Sequence, residues 1–236
     1  MKFYIAFMLL TTVFISSSPK KIMMEQKIET LREGKVFSQE ATIFYAHDAG
    51  RMVVKYRSPG NHVIIMNNKG ELKIYNPQKN QVFLENSLVY STDLNMLYFF
   101  MAGKIYNMGL REMGFQLNDT WYEDGLMISS FYPVSEGSEF GKIELAHEDE
   151  QPVFAGYYNR DMELLRKIYY YDYQRYEDML LPLKSVEYDY LPDGDSIITR
   201  KTNSNVKIGA EANSKYFDFK VPEDAKVITR ERLDLK

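Results

Sequence analysis

The chain has 236 residues, long enough to bury a large core, and 45% of them are hydrophobic with charges interspersed, which excludes a disordered segment. A formal net charge of −4 with no Lys/Arg-rich run excludes a general nucleic-acid binder, because neutralising phosphates needs a basic face. Cysteine is absent, so no disulfide staples the fold and core packing must supply its stability.

Residues 1–18 read as a secretory signal: Lys2 supplies the charge, 3–15 the apolar core, and Ser16-Ser17-Ser18 small residues for cleavage. That core is too short for a comfortable permanent span; an uncleaved anchor or an ordinary first helix is the alternative. Residues 19–236 read as a single domain. It starts with a predicted helix from Lys20, in which Met24, Ile28 and Leu31 fall at i, i+4, i+7 and Gly34 offers a stop.

A strand over 36–46 follows, with His47-Asp48-Ala49-Gly50 as a turn. Short apolar runs at 52–56, 62–66 and 72–75, and a fourth beginning at Gln81, are separated by Ser58-Pro59-Gly60-Asn61, Asn67-Asn68-Lys69-Gly70 and Asn76-Pro77-Gln78-Lys79-Asn80. Pro fixes φ and Gly or Asn accepts positive φ, so these clusters make tight reversals and the product is an antiparallel meander.

Ser91-Thr92-Asp93 predicts the cap of a second helix running to about Met113, with Leu94, Leu97, Met101, Ile105 and Met108 as its apolar stripe and Tyr98 and Phe99 beside it. Gly103 and Gly109 weaken it, and Lys104, Asn107 and Arg111 argue against a membrane span. Strands are predicted at 125–132, 142–147, 153–159, 164–173, 183–190, 196–208 and 215–221; the stretch 173–181 reads either as strand or as one helical turn. The 19 Tyr and 14 Phe favour strands, and the 13 Met suit surfaces that adapt to variable apolar partners.

The basic strand ending near Pro59-Gly60, the Lys69-Gly70 turn, Leu72-Lys73-Ile74-Tyr75-Asn76-Pro77 and Gln81-Val82 together resemble the outer-membrane lipoprotein carrier family, the LolA-type periplasmic proteins. Phe217-Asp218-Phe219-Lys220-Val221-Pro222, continuing to Val227, is similar to that family's closing strand. The resemblance implies a periplasmic carrier of lipoprotein acyl chains, with an inner-membrane release transporter and an outer-membrane acceptor as partners. With no cysteine after the signal to carry a lipid, it favours a soluble monomeric carrier over a lipid-anchored receptor. An envelope sensor or lipid-binding module of the same fold, reading a lipid or an unfolded envelope protein, is the rival.

The fold class expected is α+β, mainly antiparallel β. A sheet of about ten or eleven strands twists too much to stay flat, so it curls into an incompletely closed half-barrel covered by the two predicted helices, leaving an apolar cavity. Met96, Leu97, Tyr98, Met101, Ile105 and Met108 are the candidate cavity-lining group, with ordinary helix-on-sheet core as the alternative for each. Arg57 and its neighbour Tyr56 complete the set. The resemblance implies that an Arg before the strand's Pro latches the lid, but Ser58 separates Arg57 from Pro59, and one residue reverses the direction a strand side chain faces. His47, His62 and His147 are isolated, and no nucleophile, phosphate or dinucleotide motif is present, so no enzyme, metal or cofactor is expected. Glu148-Asp149-Glu150 reads as a solvated turn.

Overall fold

The computed structural model describes residues 21–229 apart from 59, 68, 70, 86–91 and 178; the side chains of 58 and 92–96 also lie outside the description. The candidate signal at 1–18 falls outside the described residues.

The described residues begin not with a helix but with a hairpin, β1 (Lys21–Arg32) and β2 (Lys35–Ala46). Ile22, Met24 and Gln26 are buried while their neighbours are less so, a period of two. Met24 and Ile28 satisfy an i, i+2 pattern as well as an i, i+4 one, which is why the helical reading arose. Gly34 is the second residue of the turn: Glu33 and Gly34 both have positive φ between the paired Arg32 and Lys35, as a two-residue primed turn requires.

The meander continues through β3 (Arg51–Ser58), β4 (Val63–Asn67), β5 (Leu72–Asn76) and β6 (Gln81–Glu85), as expected. The second half of β2, from Ala41, and most of β3 and β4 are buried on both faces. Met52, Val54, Ile64 and Met66 join the main core, while Phe44, Val53, Val63 and Ile65 pack on the opposite side. Burial on both faces is the physical reason for the unbroken apolar runs.

After the helix α1 (Thr92–Met101), a second meander runs through β7 (Phe115–Glu123), β8 (Leu126–Pro133), β9 (Lys142–Glu148), β10 (Gln151–Tyr158), β11 (Leu164–Tyr176), β12 (Met179–Tyr190) and β13 (Ser196–Ile208). The ambiguous 173–181 stretch is therefore the β11–β12 hairpin. β7 was not foreseen, because its residues beyond Phe115 are almost all exposed and leave no apolar alternation. Residues 215–221 form no strand. Ser214 Oγ accepts from the Tyr216 N–H at 3.3 Å and opens a 3-10 turn, Lys215–Asp218, that sets Tyr216 and Phe217 on Phe44 with centroids 5.3 and 5.6 Å away. The last strand, β14 (Lys226–Ile228), pairs parallel with β6.

Among the described residues the sheet has 14 strands in the order β14-β6-β5-β4-β3-β2-β1-β13-β12-β11-β10-β9-β8-β7. It is one open antiparallel sheet, apart from its parallel edge pair, larger than the expected ten or eleven strands and covered by one helix instead of two. β1 pairs with β13, so the two meanders meet at mid-sheet and the connection carrying α1 must travel from β6 to the far edge. That path would be roughly 58 Å across a flat sheet at about 4.8 Å per strand, far more than the ~15 Å length of a ten-residue helix. Curling shortens it. Tyr98 meets Tyr45 of β2 edge-on at 5.9 Å, and two residues later Phe100 meets Tyr170 of β11 at 5.1 Å. No helix among the described residues is long and apolar enough to cross a membrane.

Candidate functional site

The site is built around the end of α1. The helix stops at Met101, not near Met113, and Gly103 turns the chain just beyond it. Gly103 takes φ +71°, its N–H donates to the Phe100 carbonyl at 3.1 Å, and the Lys104 N–H donates to the Phe99 carbonyl at 2.9 Å. These two bonds satisfy helix carbonyls that would otherwise be orphaned and turn the chain out of the helix. Residues 104–114 then run as successive turns. The Asn107 side chain accepts the Gly109 N–H at 3.0 Å, and Lys104 Nζ lies 2.5 Å from Glu112 Oε1.

Between this helix end and the sheet lies a cavity of about 640 Å³. Phe100, Met101, Gly103 and Ile105 form its helix side; Ile22 of β1 and Ile208 of β13 form its floor; Tyr176, Met179 and Leu180 of the β11–β12 hairpin close another wall. Its rim carries His47 and Asp48 from the turn after β2, Asp149, Glu150 and Gln151 from the β9–β10 turn, and Arg175 and Glu177 from the hairpin. Apolar walls with a few polar groups at the mouth give this space the character of a site for an apolar group.

Of the expected group, Met101 and Ile105 line this cavity. Leu97, with Phe100, instead roofs a void of about 30 Å³ whose other sides include Gln26, Glu187, Lys201 and Asn203. Tyr98 is buried against Tyr45, Met108 is fully buried core, and the Met96 side chain lies outside the described residues. Tyr56 is buried and stacked on His62 with centroids 4.2 Å apart.

Arg57 is elsewhere altogether. The pairing jumps from Glu40↔Ser58 to Ala41↔Tyr56, making Arg57 the extra residue of a bulge. Its guanidinium lies 3.4 Å from Glu25 and 3.5 Å from Glu40, both on the face of the sheet away from α1. Tyr56, not Arg57, faces the helix side, so the one-residue offset has the effect that strand geometry dictates. Sequence reasoning missed Ile22, Met179, Leu180 and Ile208: they become neighbours of Met101 only when β1 closes on β13 and the hairpin folds over.

A buried histidine braces the wall. His147 of β9 has no exposed surface, and its Nε2–H donates to the Ile105 carbonyl at 3.1 Å, while burial holds its imidazole below the usual histidine range. His62 is lowered for the same reason. Among the described residues no three His, Asp or Glu are grouped to hold a metal ion.

No protein-family model and no curated protein matches the sequence. Solved structures do match in fold. A LolA-superfamily protein of Nitrosomonas europaea is 15% identical over 79% of this chain and 85% of its own, with a TM-score of 0.56. An outer-membrane lipoprotein-sorting protein domain of Vibrio parahaemolyticus is 12% identical over 85% and 89%, with a TM-score of 0.60. A DUF1329-family protein of Desulfovibrio piger is 13% identical over 86% and 90%, with a TM-score of 0.58. The chain has the LolA-type fold.

Proposed function

We propose, from the LolA-type fold and the unfilled apolar space beside Met101, that this chain is a non-enzymatic periplasmic carrier that shelters the acyl chains of lipoproteins on their way toward the outer membrane. The observation that carries the reading is the cavity of about 640 Å³ floored by Ile22 and Ile208. It falls within the ~300–1,000 Å³ typical of small-molecule sites. Each methylene buried is worth about 0.8 kcal/mol, so an acyl chain leaves a membrane only for a comparable apolar shelter. Release requires that the shelter open, and the Gly103 reversal at the end of α1 is a natural place for the helix side to move. Loading from an inner-membrane release transporter and delivery to an outer-membrane acceptor complete the proposed route.

Mass spectrometry of the protein purified from its native compartment, with extraction of acylated proteins from membrane vesicles, tests this. Co-purifying acylated polypeptide and vesicle extraction are expected. Clean apoprotein together with no extraction would overturn the reading.

A further inference from the structure

The floor of the cavity is apolar, but its rim is predominantly acidic. Three turns from separate parts of the chain converge there, bringing Asp48, Asp149, Glu150 and Glu177, while Arg175 is the one cationic side chain of the lining. Several other carboxylates of this protein are matched: Glu144 to Lys142 at 2.9 Å, Asp172 to Lys184 at 2.8 Å and Asp189 to Arg166 at 2.5 Å. Asp48, Asp149 and Glu150 have no ion-pair or side-chain hydrogen-bond partner among the described residues. Turn propensity accounts for an acid in each turn. It does not account for unmatched acids meeting around a single apolar opening, where an entering chain must leave its head group.

We infer that the ligand of this cavity carries positive charge next to its apolar chain, held at the rim by Asp48, Asp149 and Glu150 while the chain lies against Ile22, Met101 and Ile208. The inference rests on the cavity receiving an apolar chain, as proposed above, and adds which chain-bearing molecules it selects. Anionic heads are repelled by the same carboxylates. The shared chemistry is a cation beside an alkyl or acyl chain, supplied either by an amine-bearing lipid head or by basic residues flanking the acyl group of a polypeptide.

Calorimetric titration of the full chain with decyltrimethylammonium, decyl maltoside and decyl sulfate, each below its micelle-forming concentration, separates head from tail. The ammonium probe is expected to bind at least about tenfold tighter than the sulfate at low ionic strength, which a difference of about 1.4 kcal/mol provides. That gap should narrow at high salt and in the Asp48→Asn/Glu150→Gln double variant. The wild-type salt dependence stands as a measurement even if the double variant folds poorly. Equal affinities, or tightest binding of the sulfate, would overturn the inference while leaving the chain site in place; failure of the neutral maltoside to bind would overturn the chain site itself. A decanoylated Lys-Lys peptide binding more tightly than decyltrimethylammonium would identify a polypeptide source of the cation, and equal binding a lipid amine; both support the inference.

Discussion

His147 Nε2 lies 3.1 Å from the carbonyl oxygen of Ile105, tying the interior of β9 to the segment that leaves α1. Because a carbonyl can only accept, Nε2 carries the proton, and Nδ1 is left as a buried acceptor with no partner among the described residues. One side chain thereby fixes the position of a residue that lines the cavity.

This geometry predicts a pH dependence. Folding lowers the affinity of His147 and His62 for a proton, chiefly through burial. The unfolded chain takes up those protons as pH falls through about 6.5, whereas the folded chain resists, so stability is greatest above that value and declines below it. Each histidine contributes at most about 1.4 kcal/mol per pH unit. Urea denaturation at several pH values between neutral and mildly acidic should show the decline, and His147→Gln should flatten it. An unchanged slope in the variant would mean that His147 does not resist protonation.

Gly109→Ala should destabilise the fold by about 2–4 kcal/mol, combining a left-handed backbone penalty with overpacking. Gly109 has φ +71°, next to Met108 at φ +47°, and a Cβ at this position would overlap the ring of Phe99, which is itself buried. Chemical denaturation measures the loss. Gly103→Ala separates the two causes, because Gly103 shares the same φ but has nothing within 4 Å of where a Cβ would be. Its cost should be the backbone part alone, about 1–2 kcal/mol.

The meander from Arg51 to Glu85 was legible because its reversals carry Pro, Gly and Asn and because burial on both faces writes unbroken apolar runs. β1 was not: Met24 and Ile28 fit either period, and nothing local says that Gln26 donates to Asn203 in the interior at 2.9 Å. β7 lacks any buried face to betray it. For the site, the helix stripe pointed to Met101 and Ile105, which belong to one local element. The opposite wall depends on β1 finding β13 far along the chain, a pairing written in no short pattern. The acids at 48, 149 and 150 were visible as turn residues, but their convergence with Glu177 is a property of the curled sheet.

Met179→Asp should weaken binding of an alkyl-chain probe by at least about tenfold, since it introduces a charge into an apolar wall, with only a small loss of stability because Met179 is half-buried at a hairpin end. Phe217→Ala should do the reverse. Phe217 is 2% exposed in the cluster on the other face of the sheet, so its truncation should cost about 3–5 kcal/mol and leave the affinity of the folded protein intact. Titration and denaturation of both variants give the comparison. Equal effects of the two substitutions on both measurements would mean that the cavity wall is ordinary core.

Arg57→Ala tests whether the bulge has removed the latch. The guanidinium bridges Glu25 and Glu40 at 3.4 and 3.5 Å, and the three side chains are 41%, 42% and 59% exposed, so water and salt screen both pairs. Exposed pairs of this kind are worth about 0–1 kcal/mol, and the expected stability loss is no larger. Because the pairs lie on the face away from α1, alkyl-chain affinity and release rate should stay within about twofold of the parent, a change of about 0.4 kcal/mol. Stopped-flow release of a fluorescent alkyl probe measures the rate. A large acceleration in the Ala variant would mean that Arg57 reaches the helix side in some other state of the protein, and that the bulge at Tyr56–Ser58 is a hinge for it instead of a barrier.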